Sequence, residues 1–571
     1  MHSSYIRPAP ARESVHVRLD HGRILEGPID TPLEVFVRSI AQAGEPPVVA
    51  ALVDGHLREL THKISKDVDV RLLSNATSDG KRIYQRSLIL LMLAAVRELY
   101  PDAQIMVDHA VTMYGLLCEV RGRPPFTRQE VSQIEARMRE IVDQDAPIVK
   151  RRVPLQEAID TFQAQGYADK VRLLQYRRRD HVVIYSLLGA SDYFYGYMVP
   201  SAGYLPYFEL VPHPLGFVLC HPRRGMPTQL PEERESPQLD AVFLEYSKWL
   251  RTLEVSDVAQ LNEAIESGRI REVVLVSEAL HERRVVDIAG EIAGQRDQVR
   301  LVLIAGPSSS GKTTFSKRLA IQLLAHGLRP VPVEMDNYFV DRSRTPRDEN
   351  GDYDFEHLHT LDLPLFHEHL SGLLNGREVQ LPHFDFQTGA RTPGRTLRIG
   401  PKHVIIAEGI HGMNPELVGD LPGEYIYRVY ISALTQLNID HHNRISTTDS
   451  RLLRRIVRDA QYRGYLAEET INRWQSVRRG EEKWVFPYQE NADAMFNSAL
   501  VYELAVLKPY VEPLLRHVEP GTLAYIESKR WLSFLQWFLP CTPDLVPDNS
   551  ILREFVGGSI LRDFNISLGE V

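Results

Sequence analysis

The chain has 571 residues, 43% of them hydrophobic and 25% charged, with a net charge of −9. That length is too great for one core and makes about three domains the prior expectation. The acidic balance argues against nucleic-acid binding by the whole molecule while leaving room for a local basic stripe. No stretch approaches the roughly 18 apolar residues of a membrane span, and the first residues, MHSSYIRPAPAR, lack the apolar core of a signal peptide. Cys118, Cys220 and Cys541 are scattered, without CxxC spacing, which fits a reducing compartment. The expected location is cytoplasmic.

Between residues 15 and 75, VHVRLD alternates like a strand, and TPLEVFVRSIAQAG reads as an amphipathic helix ending at Gly44. VVAALVDGHLREL reads as a hairpin around Asp54-Gly55. A small α+β domain over 1–75 follows. A helix is predicted over 84–100, stopping at Pro101, with strands within KVRLLQYRRRDHVVIYSLLG and FELVPHPLGFVLCHP. These make a second α+β domain over 76–240, whose Pro/Glu-rich end, 227–240, reads as a surface loop or linker. Residues 241–298 have helical periodicity. From Arg300 the pattern becomes βα alternation: RLVLIA, then a glycine loop, the helix TTFSKRLAIQLLAHG, and the short apolar runs VPVEM, HVIIAEG and YRVYISA. The expectation over 299–525 is a mostly parallel sheet with helices on both faces, making the whole chain multidomain α/β. The final segment, 526–571, with ILREFVGGS, suggests no role.

Residues Gly306 to Thr313 spell GPSSSGKT, a full match to GxxxxGK[ST], with a strand before it and a helix after it. Small residues let backbone N–H groups wrap phosphates, and the helix N-terminus adds positive potential. Gly306, Ser308, Ser309, Ser310, Gly311, Lys312, Thr313 and Thr314 are therefore the expected ATP-binding residues. Lys312 would reach the β- and γ-phosphates, and the Thr313 hydroxyl would bind Mg²⁺. Asp336 and Glu408 each end an apolar strand, where ligands bind in such sheets. One acid can take the acceptor proton while the other holds Mg²⁺, directly or through water; the bland alternative is a pair of turn or cap acids. Downstream, Arg451, Arg454, Arg455 and Arg458 share a broad helix face, and Arg478 and Arg479 follow in SVRRGEEK. They suit either a solvated basic face or a lid that stabilises a moving phosphoryl group.

Taken in order, GPSSSGKTT, MDNYF, YDFEH, PHFDFQTGAR, VIIAEGI and RLLRRIVRDAQYRG resemble the uridine kinase/phosphoribulokinase family across roughly 300–500. The pattern is most similar to a long bacterial branch in which a threonyl-tRNA-synthetase-like region precedes the kinase. The resemblance implies that Asp336 is the base acting on a nucleoside 5′-hydroxyl, and that Glu356 holds the ribose diol. It also implies that Phe384 stacks near the base, that Tyr338, Phe339, Arg391 and Tyr465 line the acceptor site, and that Arg455 and Arg458 come from the lid. Two positions depart from the pyrimidine-reading pattern: Gly389 stands where the family carries a histidine, and Tyr465 where it carries an arginine. The N-terminal region resembles a small ubiquitin-like domain followed by the synthetase's editing domain. The HxxxH positions of that domain are here Arg86 and Leu90, and Cys220 is followed directly by His221, so no zinc site is expected.

The resulting expectation is an ATP- and Mg²⁺-dependent nucleoside kinase of uridine or cytidine type. One alternative acceptor is a deoxynucleoside or a non-nucleoside polyol. Another reading is an RNA-binding or regulatory protein that uses its P-loop as a nucleotide sensor, motivated by the basic run at 175–180.

Overall fold

A computed structural model describes residues 12–41, 44–111, 115–232, 236–348, 351–385, 388–435 and 437–564. The N-terminal stretch read for targeting lies almost wholly outside them, as do residues 233–235 of the 227–240 run. The chain forms two compact units. The first comprises 1–235, 438–444 and 519–537; the second comprises 236–437, 445–518 and 538–571. No helix among the described residues is long and apolar enough to cross a membrane.

In the first unit, a five-stranded sheet runs in the order Ile24–Pro28, Ser14–Leu19, Val68–Ser74, Val48–Val53, His56–Glu59. The pairing of Ser14–Leu19 with Val68–Ser74 is parallel and the others are antiparallel. Alternation in SVHVRL sends Val15, Val17 and Leu19 into a core shared with Leu33, Phe36 and Val37. The helix there is shorter than its pattern suggests, Leu33–Arg38, and at its end the Ser39 hydroxyl donates to the Phe36 carbonyl. By contrast, the next helix starts earlier than predicted. It spans Ser78–Leu99, since the Thr77 side chain accepts from Gly80 N and caps it. Its middle turns are buried all round and anchor the largest core of the unit.

The second unit is built on a parallel sheet. Its strands are β1 (Leu301–Ala305), β2 (Arg329–Glu334), β3 (His403–Glu408), β4 (Ile426–Ser432) and β5 (Ala494–Asn497), in the order β2-β3-β1-β4-β5. Every residue of β1 is buried, which is why the strand reads as a continuous apolar run. Helix α1 (Lys312–Ala325) leaves the end of β1, and helices α2 (Thr447–Tyr462) and α3 (Ala467–Trp484) follow β4. An antiparallel hairpin, Val379–Asp385 with Ala390–Leu397, is absent from the sequence reading, since Pro382, Pro393 and Gly394 disguise it. The carboxyl ends of β1, β2 and β3 thus deliver the glycine loop, Asp336 and Glu408 to one rim of the sheet.

Candidate active site

The glycine loop is shaped by close approach. A Cβ on Gly306 would lie 1.9 Å from the Ile431 carbonyl oxygen of β4, so no side chain fits. Gly311 has φ +87°, and a Cβ there would also meet Ile551 at 2.5 Å. Ser309 adopts φ +58°, a left-handed turn that aims successive N–H groups inward. Lys312 opens α1 and folds back, Nζ donating to the Pro307 carbonyl at 3.3 Å. Ser310 is buried and Thr313 exposed.

The two predicted strand-end acids flank this loop. Glu408 pairs in register with Ile304 on one side and Glu334 on the other, and its Oε2 accepts from the Thr313 hydroxyl at 3.1 Å. Burial pushes its carboxyl up to about 7, with Lys312 opposing and Asp336 and Glu554 adding to the rise. Asp336 sits in the short turn Met335–Tyr338 after β2, open to solvent but crowded by surrounding protein. That crowding raises its carboxyl above the ordinary range, Glu334 adds to the rise, and Lys312 draws it back. Glu356 is likewise pushed up to about 7 by burial and by Glu481. Two hard oxygen donors, the Thr313 hydroxyl and the Glu408 carboxylate, therefore meet beside Lys312, a donor set that fits Mg²⁺.

Helix α2 does not present its arginines as one exposed face. Arg451 and Arg454 are fully buried. Arg451 Nε donates to Ser308 O at 2.8 Å, and Arg455 Nη1 to Ser308 Oγ at 2.9 Å, so both reach the glycine loop. Arg454 instead turns to Ser498 and Glu503. Arg458 lies 3.7 Å from Glu554 and 3.6 Å from Asp459.

Placement of the predicted acceptor residues is uneven. Phe339 and Phe384 meet edge to face, ring centroids 5.6 Å apart, and Phe384 N donates to Asn337 Oδ1. Arg391 donates to Asp362 at 2.9 Å. Tyr465 lies under the Arg473 guanidinium, 4.6 Å from the ring centre. Tyr338 points the other way, into the core, with its ring against Phe366 and its hydroxyl on His369. Gly389 has φ +69°, and a Cβ there would meet Arg342 at 2.9 Å.

Two acids missed by the sequence reading touch the loop. Glu481 accepts from Ser308 N at 2.9 Å, and Glu554 accepts from the Thr314 hydroxyl at 2.9 Å. Glu554 lies in the C-terminal segment that suggested no role. No spacing rule finds either residue, because both come from elements remote in sequence.

Residues 301–505 match the model of the Phosphoribulokinase / Uridine kinase family, which makes this part of the chain similar to a P-loop kinase domain. The N-terminal region matches threonine–tRNA ligases. That of Methylococcus capsulatus is 34% identical over 164 residues, covering 28% of this chain and 26% of that protein. That of Burkholderia lata is 29% identical over 198 residues, covering 34% and 31%. The chain thus spans only a quarter to a third of the curated relatives it matches. Among solved structures, a "Possible Uridine Kinase" from Bacillus stearothermophilus aligns with a TM-score of 0.26 at 19% identity, covering 37% of this chain and 98% of that one. D-glycerate 3-kinase from Cryptococcus neoformans aligns at 0.20 and 17%, covering 48% and 87%. Neither structural likeness bears on function at those scores. In the synthetase-like region, Leu90 is buried in the core and Arg86 donates to the Tyr195 carbonyl at 3.1 Å.

Proposed function

We propose that the chain transfers the γ-phosphoryl group of ATP to the 5′-hydroxyl of a nucleoside of uridine or cytidine type. The observation that carries this reading is the juxtaposition at one rim of the sheet: Lys312, the Thr313–Glu408 pair and Asp336, with Arg455 reaching the same loop. The loop amides and Lys312 bind and orient the phosphates. Thr313 and Glu408 would hold Mg²⁺, whose contribution when bound is to offset charge on the β- and γ-phosphates. Asp336 takes the proton of the acceptor hydroxyl as the O–P bond forms, while the bond from the γ-phosphorus to the bridging oxygen breaks and ADP leaves. Arg455 and Arg458 offset the charge that spreads over the transferred group. Glu356 binds the ribose diol, and Phe384 and Phe339 supply an aromatic wall.

A second reading keeps the transfer and changes the acceptor to a deoxynucleoside or a polyol. Two placements favour it: Arg342 occupies the space that a side chain at 389 would need, and Arg473 stacks on Tyr465. A transfer screen with labelled ATP against nucleosides, deoxynucleosides and sugar alcohols separates the two. The proposed activity also requires that Lys312→Ala lose transfer while staying folded. Full transfer in that variant would remove the phosphate role of Lys312, whereas no transfer by the unaltered chain to any acceptor in the screen would overturn the reading and leave the nucleotide-sensor alternative.

A further inference from the structure

Ser308 is gripped at all three of its polar atoms. Its N–H donates to Glu481, its carbonyl accepts from Arg451, and its hydroxyl accepts from Arg455, at 2.9, 2.8 and 2.9 Å. Arg451 also donates to Glu481, which closes a ring of contacts between the glycine loop, α2 and α3. Glu481 is fully buried, and Arg478 clamps its second oxygen at 2.9 Å. Burial alone would push this carboxyl up. Arg451 and Arg478 outweigh that push and hold it below the ordinary carboxylate range, so it stays ionised.

The residues just before Glu481 face the acceptor side. A Cβ on Gly480 would lie 2.2 Å from Glu356 Cβ, so glycine alone lets the Glu356 loop settle on α3. Arg479 donates to Asp348 of the same loop at 3.0 Å. Four consecutive residues thus hold the phosphate-donor loop on one side and the acceptor loop on the other.

We propose that the Arg478–Glu481 turn of α3 sets the register between the donor and acceptor loops, with Glu481 as a positioning residue for phosphoryl transfer. This rests on the kinase reading above. The turn touches no reacting atom. It fixes the distance between two loops that must present their groups within a fraction of an ångström, where a shift of about 1 Å can cost about 10²-fold in rate.

The test uses the full chain with ATP and uridine, or the acceptor that the transfer screen ranks first. It measures kcat, both KM values and the Kd of ATP by calorimetry. Glu481→Gln keeps an oxygen for Ser308 N–H and Arg451, which share Oε1, but removes the negative charge and puts an NH2 donor where Arg478 needs its Oε2 acceptor. It should lower kcat about 10- to 100-fold while the Kd of ATP changes by less than about threefold. Gly480→Ala should push the Glu356 loop away and raise acceptor KM about tenfold, again with ATP affinity unchanged. A folded Glu481→Gln variant with wild-type kcat, or one whose rate loss matches an equal loss of ATP affinity, overturns the proposal. If Glu481→Gln does not fold, Gly480→Ala decides, and a wild-type acceptor KM there overturns it. Lys312→Ala run in parallel keeps the two claims apart. Loss of transfer in Lys312→Ala beside unaltered Glu481→Gln and Gly480→Ala sinks the coupling alone, whereas no transfer by the unaltered chain to any acceptor sinks the kinase reading.

Discussion

The two units bury charge for different ends. In the first, Lys170 is almost wholly enclosed, with Asp192 and Asp440 each 2.7 Å from its ammonium and His442 2.6 Å from Asp192. These groups answer one another inside the fold. In the second, Lys312 folds onto a backbone carbonyl, Asp336 is open to the cleft, and Glu408 shares its oxygen with an exposed threonine. A lysine among carboxylates therefore has two meanings. Saturated and sealed it is architecture, whereas turned toward a rim of strand ends it suits the chemistry proposed above.

The largest effect that would sharpen this contrast is on turnover. Asp336→Asn should lower transfer about 10²–10⁴-fold, the usual range for a general base, with ATP affinity and melting temperature near wild type. The amide is nearly isosteric, so an unaltered rate in a steady-state assay would remove the base assignment. If Asp336 mainly held Mg²⁺, raising the Mg²⁺ concentration would restore much of the rate instead.

The matching change in the first unit should act on stability. Lys170→Ala leaves Asp192 and Asp440 buried without their shared cation, at a cost of about 3–5 kcal/mol, the range for breaking a buried ion pair. Denaturant titration would show it as a lower midpoint. A variant as stable as wild type would break the comparison, because the cluster would then not be holding the fold.

A smaller effect should come from pH. In the proposed role, Glu356, raised to about 7, would have to be ionised to accept two ribose hydroxyls. Acceptor KM should therefore be lower at pH 8 than at pH 6, rising as the carboxyl takes up its proton through about 7. Glu356→Gln should raise KM at high pH and flatten the profile, and a wild-type slope in that variant would contradict the assignment. The smallest effect belongs to Arg479→Ala. Its pair with Asp348 is half exposed, so the melting curve should move by less than about 1 kcal/mol while acceptor KM rises a few-fold.

Much of the kinase sheet was legible in the sequence. RLVLIA, VPVEM, HVIIAEG and YRVYISA correspond to β1–β4, since buried parallel strands leave short continuous apolar runs. β5 escaped because AMFN is four residues long and sits between helices. The arginine helix shows the limit of periodicity. Arg451, Arg454, Arg455 and Arg458 do lie within one broad arc, yet Arg454 ends on Glu503 and Arg451 on Ser308 and Glu481. Neighbouring side chains on a helix part company when different elements pack on either flank. Tyr338 teaches the same from the acceptor side: two residues after an exposed acid, it packs into the core against Phe366.

By itself the sequence determined the glycine loop, the strand-end positions of Asp336 and Glu408, and the separation of a βα-alternating region from the α+β material before it. These are local properties, written in spacing and apolar patterning over a few residues. Tertiary structure alone decided that 438–444 and 519–537 fold with the first unit, so that Asp440 meets Lys170. It alone brought Glu481 to Ser308 and Glu554 to Thr314, across 173 and 240 positions of chain. Such contacts carry no local signature. They arise where burial leaves a charged or hydrogen-bonding group that must find a partner, and the partner is whichever element the packing places beside it.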